Sequence, residues 1–109
     1  MEQIVLAGYS FGAWVNARTV ASGLKIHQML MVSPPVAFIE FKGIERIDCL
    51  KLIVSGSRDD IAPPDLIKKS YAGWNPEAKF EVINGADHFY AGYLDKLEDI
   101  LRAHLAGRE

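Results

Sequence analysis

Short apolar runs alternate with segments of helical periodicity along this chain of 109 residues. Short, continuous apolar runs are typical of strands buried in a parallel sheet, whereas an amphipathic helix repeats its apolar positions every three to four residues. The predicted strands cover residues 3–7, 27–32, 50–55 and 79–83. The predicted helices cover residues 11–22, residues 63 to about 72, and a final segment that places Tyr93, Leu97, Ile100, Leu101, His104 and Leu105 on one face.

This order of elements predicts an α/β fold. It consists of a parallel sheet of about four strands flanked by helices, in a single domain over residues 1–109. Residues 36–48 are ambiguous, because they are long for a plain connection and could contain a short helical or extended piece. Ligands of open parallel sheets bind outside the carboxyl ends of the strands. Residues that directly follow a predicted strand are therefore the candidates for chemistry.

Composition narrows the classes of function. Half of the residues are hydrophobic, 24% are charged, and the net charge of −2 is spread without a basic stripe, which argues against nucleic-acid binding. No apolar run approaches the roughly 20 residues that span a bilayer, and no secretory signal begins the chain. The single cysteine, Cys49, favours a cytoplasmic location, and the histidines show no metal-ligand spacing. We therefore expect no metal, no organic cofactor, no membrane contact and a small-molecule substrate.

The first candidate is Ser10, in the segment Gly8-Tyr9-Ser10-Phe11-Gly12 between the first strand and the first helix. A G-x-S-x-G turn in this context raises the serine hydroxyl above the strand end, at the N-terminus of a helix. Side chains at Gly8 and Gly12 are expected to collide within the tight turn. The backbone N–H of Phe11 can donate to a developing oxyanion. The alternative is a chance match in an ordinary strand-to-helix turn.

Two further candidates follow the third and fourth strands. Asp59 can hold and orient an imidazole, and Asp60 is its rival for this role. Both aspartates are equally explained as turn or helix-start residues. His88 lies in a glycine-containing loop after the fourth strand. His27 and His104 have no chemical partner in the sequence pattern, so we expect both to be structural.

Ser10, Asp59 and His88 occur in the chain order that is typical of α/β-hydrolases. Residues 6–13, 54–60 and 85–90 resemble the corresponding segments of small, cap-less bacterial α/β-hydrolases related to dienelactone hydrolases and carboxylesterases. The resemblance covers the C-terminal half of that fold. It implies that Ser10 is the nucleophile, Asp59 the orienting acid, His88 the general base and the Phe11 N–H one oxyanion donor. The implied reaction is hydrolysis of a carboxylic ester or thioester, and transfer of the acyl group to another acceptor is an open alternative.

A complete α/β-hydrolase has several strands and a second oxyanion donor before its nucleophile. This chain starts two residues before its first predicted strand, so we expect a fragment, a gene that is split or starts internally, or a half-fold that assembles with another chain. The first strand would then lie at a sheet edge, where apolar strands tend to pair. We expect association, as a homodimer through residues 3–7 or the adjacent helices. The competing hypothesis is a non-catalytic hydrolase half that folds and associates without turnover.

Aromatic and proline side chains gather near the predicted strand ends. They could line a small apolar acyl pocket, or they could simply be part of the core, where aromatic residues are commonly buried. These residues are Tyr9, Phe11, Pro34, Pro35, Phe38, Phe89 and Tyr90.

Overall fold

A computed structural model describes residues 4–107 of the chain. These residues form one four-stranded sheet in the order β1-β2-β3-β4, in which every pair of neighbouring strands is parallel. The elements in chain order are β1 (Val5–Tyr9), α1 (Phe11–Ala21), β2 (Gln28–Val32), β3 (Leu50–Gly56), α2 (Pro64–Trp74), β4 (Lys79–Ile83) and α3 (Leu94–Ala106). The predicted α/β class and its four-stranded parallel sheet are confirmed.

The first strand begins and ends two residues later in the chain than predicted. Residues 3–7 were expected, of which Gln3 lies outside the described residues, and the observed strand is Val5–Tyr9. Gly8 pairs with Met31 and Tyr9 pairs with Val32, so the ladder continues through a glycine, a residue that usually weakens a strand. Ser10 consequently follows the last paired residue with no intervening loop.

Both faces of the sheet are covered, because successive side chains of a strand point to opposite faces. Met29 and Met31 of β2 belong to the core on the side of α1 and α2. Leu30 and Val32 of the same strand belong to the core on the side of α3. The two central strands are therefore almost continuously apolar, as expected for strands that are buried on both faces.

The ambiguous segment 36–48 is a loop without a helix or strand. It still contributes to the core, since Ile44 and Ile47 are buried. The Ile47 N–H donates to the carbonyl of Trp74 at 2.8 Å, which holds the end of the loop against α2. The sequence could not resolve this segment because its apolar residues follow neither a helical nor a strand period.

Strands β1 and β4 occupy the two edges of the sheet formed by residues 4–107. The expected association through the β1 edge stays a prediction. No helix of the described part is long and apolar enough to span a membrane. All four strands run in the same direction, so the segments that contain Ser10, Asp59 and His88 emerge at one end of the sheet.

Candidate active site

Ser10 forms a sharp turn between β1 and α1. Its φ of 55° lies in the left-handed region, where residues other than glycine are strained. The Ser10 N–H donates to the carbonyl of Val32 at 2.8 Å, which fixes the turn to the end of β2. Ser10 occupies the position before α1, yet its side chain makes no capping hydrogen bond to that helix. The hydroxyl is therefore available for a partner above the sheet.

The two glycines of the turn are not equivalent. A Cβ atom built on Gly8 would lie 2.6 Å from Nδ2 of Asn16 and 2.8 Å from the backbone of Ala13, so β1 and α1 approach too closely for a side chain. A Cβ atom at Gly12 would meet no heavy atom of the described residues within 4 Å. The expected collision at Gly12 is therefore wrong, since this residue already lies on an open side of the first helical turn.

Asp59 is buried after β3, with only 2% of its surface exposed. Its Oδ1 accepts hydrogen bonds from the N–H groups of Ile61 at 3.0 Å and Ala62 at 2.7 Å. These bonds fix the orientation of the carboxylate and compensate for its burial, which would otherwise be costly for a charged group. Asp60 is exposed. The structure thus brings Asp59, and not its neighbour, towards the other candidate residues.

The His88 side chain connects Asp59 with Ser10. Its Nδ1 lies 3.0 Å from both carboxylate oxygens of Asp59, and its Nε2 lies 2.7 Å from Oγ of Ser10. A carboxylate only accepts hydrogen bonds, so Nδ1 carries the proton and donates it to Asp59. Nε2 then accepts the hydrogen bond of the Ser10 hydroxyl. His88 as a whole is 6% exposed, which keeps most water away from this chain of hydrogen bonds.

This arrangement can activate a hydroxyl for nucleophilic attack. An imidazole within 2.7 Å of the hydroxyl can take its proton, and a carboxylate behind the imidazole stabilises the resulting imidazolium. Phe11 is the first residue of α1, and N–H groups in the first turn of a helix have no intrahelical acceptor. The Phe11 N–H directly follows the serine, at the positive end of the helix dipole. The role of this N–H as an oxyanion donor stays a prediction.

The loop that carries His88 is held against the loop that carries Asp59. A Cβ atom at Gly56 would lie 2.1 Å from the carbonyl oxygen of Ala86, so glycine is required for this approach. The Arg58 N–H donates to the same carbonyl at 2.9 Å. Gly85, with φ of 96°, donates its N–H to Oγ of Ser57 at 2.7 Å. These contacts fix the distance between the imidazole and its carboxylate.

Aromatic rings enclose the imidazole from two sides. The ring of Tyr9 stacks on His88 at a centroid distance of 5.5 Å, and Phe89 approaches edge-on, also at 5.5 Å. Next to them lies an apolar cavity of about 390 Å³. Its lining consists of Ala7, Gly8, Tyr9, Val32, Phe89, Tyr90, Leu94, Leu97 and Leu101.

The structure separates the residues that were candidates for a substrate pocket. Tyr9, Phe89 and Tyr90 contribute to the apolar cavity. Pro34 is fully buried in the core and Phe38 is 74% exposed, and neither belongs to the cavity lining within the described residues. Tyr90 is itself only 1% exposed. It therefore acts as much as a core residue as it does as a wall of the cavity.

Sequence reasoning missed Ser33, a buried polar residue at the end of β2. Its φ is 50°, and its Oγ lies 2.6 Å from the hydroxyl of Tyr90. Burial raises the pKa of Tyr90 to about 12, although the hydrogen bond with Ser33 opposes this shift. The position of Ser33 directly after a buried strand was the one signal in the sequence. The hydrogen bond between Ser33 and Tyr90 links the segment after His88 to the centre of the sheet.

The other two histidines lie outside this cluster. His27 accepts the N–H of Ile4 on its Nδ1 at 2.8 Å, and His104 forms a hydrogen bond with Oε1 of Gln28. The first contact joins the residues that directly precede β1 and β2, and the second joins α3 to β2. The structural role expected for both histidines stays a prediction. Among residues 4–107, no group of three or more acidic, histidine or cysteine side chains is arranged to hold a metal ion.

Comparison with known proteins supports this interpretation of the fold. No family model matches the chain. An uncharacterised protein of Rickettsia prowazekii is 31% identical over 94 residues, which cover 79% of this chain and 40% of that protein. The solved structure of an α/β serine hydrolase homologue from Coxiella burnetii is 33% identical with a TM-score of 0.84, and the match covers 95% of this chain and 50% of that one.

A second solved structure, an α/β serine hydrolase without a lid from Xanthomonas campestris, is similar in fold. It is 24% identical with a TM-score of 0.80, and the match covers 94% of this chain and 46% of the other. The chain thus spans about half the length of these structures and 40% of its curated relative. The predicted resemblance to the C-terminal half of that fold is confirmed.

Proposed function

We propose that this chain, which has the fold of the C-terminal half of an α/β serine hydrolase, hydrolyses carboxylic ester or thioester bonds with Ser10 as its nucleophile. The observation that carries the proposal is the continuous chain of hydrogen bonds from Ser10 through His88 to Asp59. Ester hydrolysis by a Ser-His-Asp triad requires these three groups in this order, with each within hydrogen-bonding distance of the next.

The reaction proceeds in two halves. His88 Nε2 takes the hydroxyl proton of Ser10 as Oγ attacks the carbonyl carbon of the substrate, and Asp59 stabilises the imidazolium. The Phe11 N–H donates to the oxyanion of the tetrahedral intermediate. His88 returns the proton to the departing alcohol or thiol, which leaves an ester between Ser10 and the acyl group. Water, deprotonated by His88, then attacks this ester. The bond between the acyl carbon and Oγ breaks, the carboxylic acid leaves, and His88 returns the proton to Oγ of Ser10.

The apolar cavity beside Tyr9 and Phe89 favours an uncharged acyl group. Among residues 4–107, its lining is apolar and aromatic and contains no lysine or arginine that could bind an anionic substrate. If the Phe11 N–H is the only oxyanion donor, turnover is slow, because the loss of one donor typically costs a factor of about 10²–10³ in kcat. Esters with good leaving groups are therefore the most sensitive substrates.

Hydrolysis of p-nitrophenyl acetate and p-nitrophenyl butyrate, together with a short-chain acyl thioester, tests the proposal. We expect measurable turnover that is abolished by Ser10→Ala. The matched control is Ser70→Ala, because Ser70 lies on α2 and its hydroxyl bonds to the carbonyl of Leu66 in the same helix. Equal rates in the wild type and Ser10→Ala would contradict the proposed function.

A further inference from the structure

Tyr9 contacts His88 both through its hydroxyl and through the face of its ring. Its hydroxyl donates to the backbone carbonyl of His88 at 2.7 Å, and its ring stacks on the imidazole at 28° between the planes. The two residues are 79 positions apart in the chain. Tyr9 is also the last residue of β1 and directly precedes Ser10. One side chain therefore joins the segment of the nucleophile to the segment of the base.

The need for such a connection follows from the order of the strands. His88 follows β4, which lies three strands away from β1. Neighbouring strands are about 4.8 Å apart, so the His88 loop has to cross roughly 14 Å of the sheet end to reach Ser10. A loop that crosses this distance requires several anchoring contacts to hold one imidazole in place.

Three of the contacts that anchor the loop each lie near one of the strands that it passes. Gly85 bonds to Ser57 after β3, and Tyr90 bonds to Ser33 after β2. The third contact is the bond from the Tyr9 hydroxyl to the carbonyl of His88. Of these three contacts, only the last one holds the backbone of His88 itself. It lies closest to the hydrogen bond between the imidazole and the serine.

We propose that Tyr9 is a positioning residue: its hydroxyl holds His88, the general base, within reach of Ser10. This inference rests on the proposed hydrolase function. The stacked ring adds a second effect, because the face of an aromatic ring attracts positive charge and the imidazole becomes cationic during proton transfer. Burial, followed by the negative charges of Asp59 and Asp87, raises the pKa of Tyr9. The hydroxyl consequently remains a donor across the neutral range.

The substitution Tyr9→Phe tests the role of the hydroxyl because it retains the ring. We expect kcat for p-nitrophenyl acetate to fall about tenfold with KM changed less than about twofold, since a small misplacement of a catalytic group costs rate rather than affinity. The matched control is Tyr71→Phe, which removes a hydroxyl from α2, where the ring packs against Phe80. We expect the control to retain wild-type kcat. We expect Tyr9→Phe to stay folded at the assay temperature, with a lower melting temperature because one hydrogen bond is missing.

Nuclear magnetic resonance supplies a readout that does not depend on turnover. In Tyr9→Phe we expect the carbonyl carbon of His88 to shift upfield and the Nδ1 proton of His88 to exchange faster with water. Wild-type kcat together with an unchanged Nδ1 proton in Tyr9→Phe would overturn the proposal, while activity that depends on Ser10 would leave the proposed function intact. If the wild type shows no activity that depends on Ser10, the proposed function fails, and the Nδ1 proton alone decides whether Tyr9 positions the imidazole.

Discussion

Oγ of Ser10 lies 2.7 Å from Nε2 of His88, although 78 positions separate the two residues in the chain. The two residues follow the two edge strands of the sheet, β1 and β4. Their contact therefore exists only when the loop after β4 crosses the whole end of the sheet. Any substitution that changes the path of this loop is expected to affect chemistry before it affects the fold.

The identity of the acid is tested by comparing Asp59→Asn with Asp60→Asn. Asp59 accepts a hydrogen bond from the Nδ1–H group of His88. An amide at this position can instead donate a hydrogen bond to Nδ1 and favour the wrong tautomer of the imidazole. We expect Asp59→Asn to lower kcat/KM by about 10³–10⁴-fold and Asp60→Asn by less than about twofold. Ester hydrolysis at neutral pH measures both. The reverse ranking would assign the role to Asp60.

The close approach of β1 and α1 predicts opposite outcomes for the two glycines of the turn. In Gly8→Ala the new methyl group meets the backbone of Ala13, so we expect a loss of about 1–3 kcal/mol in the free energy of unfolding. Gly12→Ala introduces a better helix former into open space, and we expect unchanged or slightly higher stability. Urea unfolding of both variants checks this pair. Equal destabilisation of the two variants would contradict the difference in free space around the two glycines.

The buried Tyr90 predicts a loss of stability at alkaline pH. Its pKa is raised from 10.0 to about 12 in the folded chain, so the unfolded chain loses this proton first as the pH rises. Tyr90 therefore contributes its full stabilisation below pH 10, and this contribution falls between pH 10 and about 12. The expected difference is about 3 kcal/mol at the upper end of this window.

Tyr90→Phe is the control for this pH dependence, because it removes the ionisable group and retains the ring. At neutral pH we expect the variant to lose about 1–3 kcal/mol, because Ser33 Oγ remains buried without its tyrosine partner. Between pH 10 and 12 its melting temperature is expected to fall less steeply than that of the wild type. If the melting temperatures of the two proteins fall equally steeply with pH over that range, the burial of an ionisable hydroxyl is contradicted.

The sequence predicted the elements and the order of the candidate residues more closely than their contacts. Residues 79–83 were predicted as a strand and form β4 with the same bounds, since Phe80, Val82 and Ile83 are residue types that favour strands. Ser10, Asp59 and His88 could be selected because each follows a strand, and parallel strands bring such positions to one end of the sheet. The first strand was misplaced by two residues because Gly8 interrupts its apolar run.

Contacts between distant residues could not be predicted from local patterns. The pair of Ser33 and Tyr90 joins positions that are 57 residues apart, and both residues have left-handed backbones that their side chains do not favour. The Tyr9 side chain was expected to line a pocket or to be part of the core, whereas its hydroxyl also bonds to the backbone of His88. The freedom of space at Gly12 likewise depends on where other segments fold. Such features depend on how the loops at the end of the sheet pack against one another, which local sequence patterns do not determine.

The most direct test of the central claim is covalent labelling of the chain by a fluorophosphonate, measured by intact mass, with Ser10→Ala and Ser70→Ala alongside. A serine that is hydrogen-bonded to an imidazole attacks phosphorus and retains the adduct, whereas an ordinary hydroxyl does not. We predict one adduct per chain in the wild type and Ser70→Ala, and none in Ser10→Ala. A folded wild-type protein that stays unlabelled, or an adduct that persists in Ser10→Ala, would contradict the assignment of Ser10 as the nucleophile.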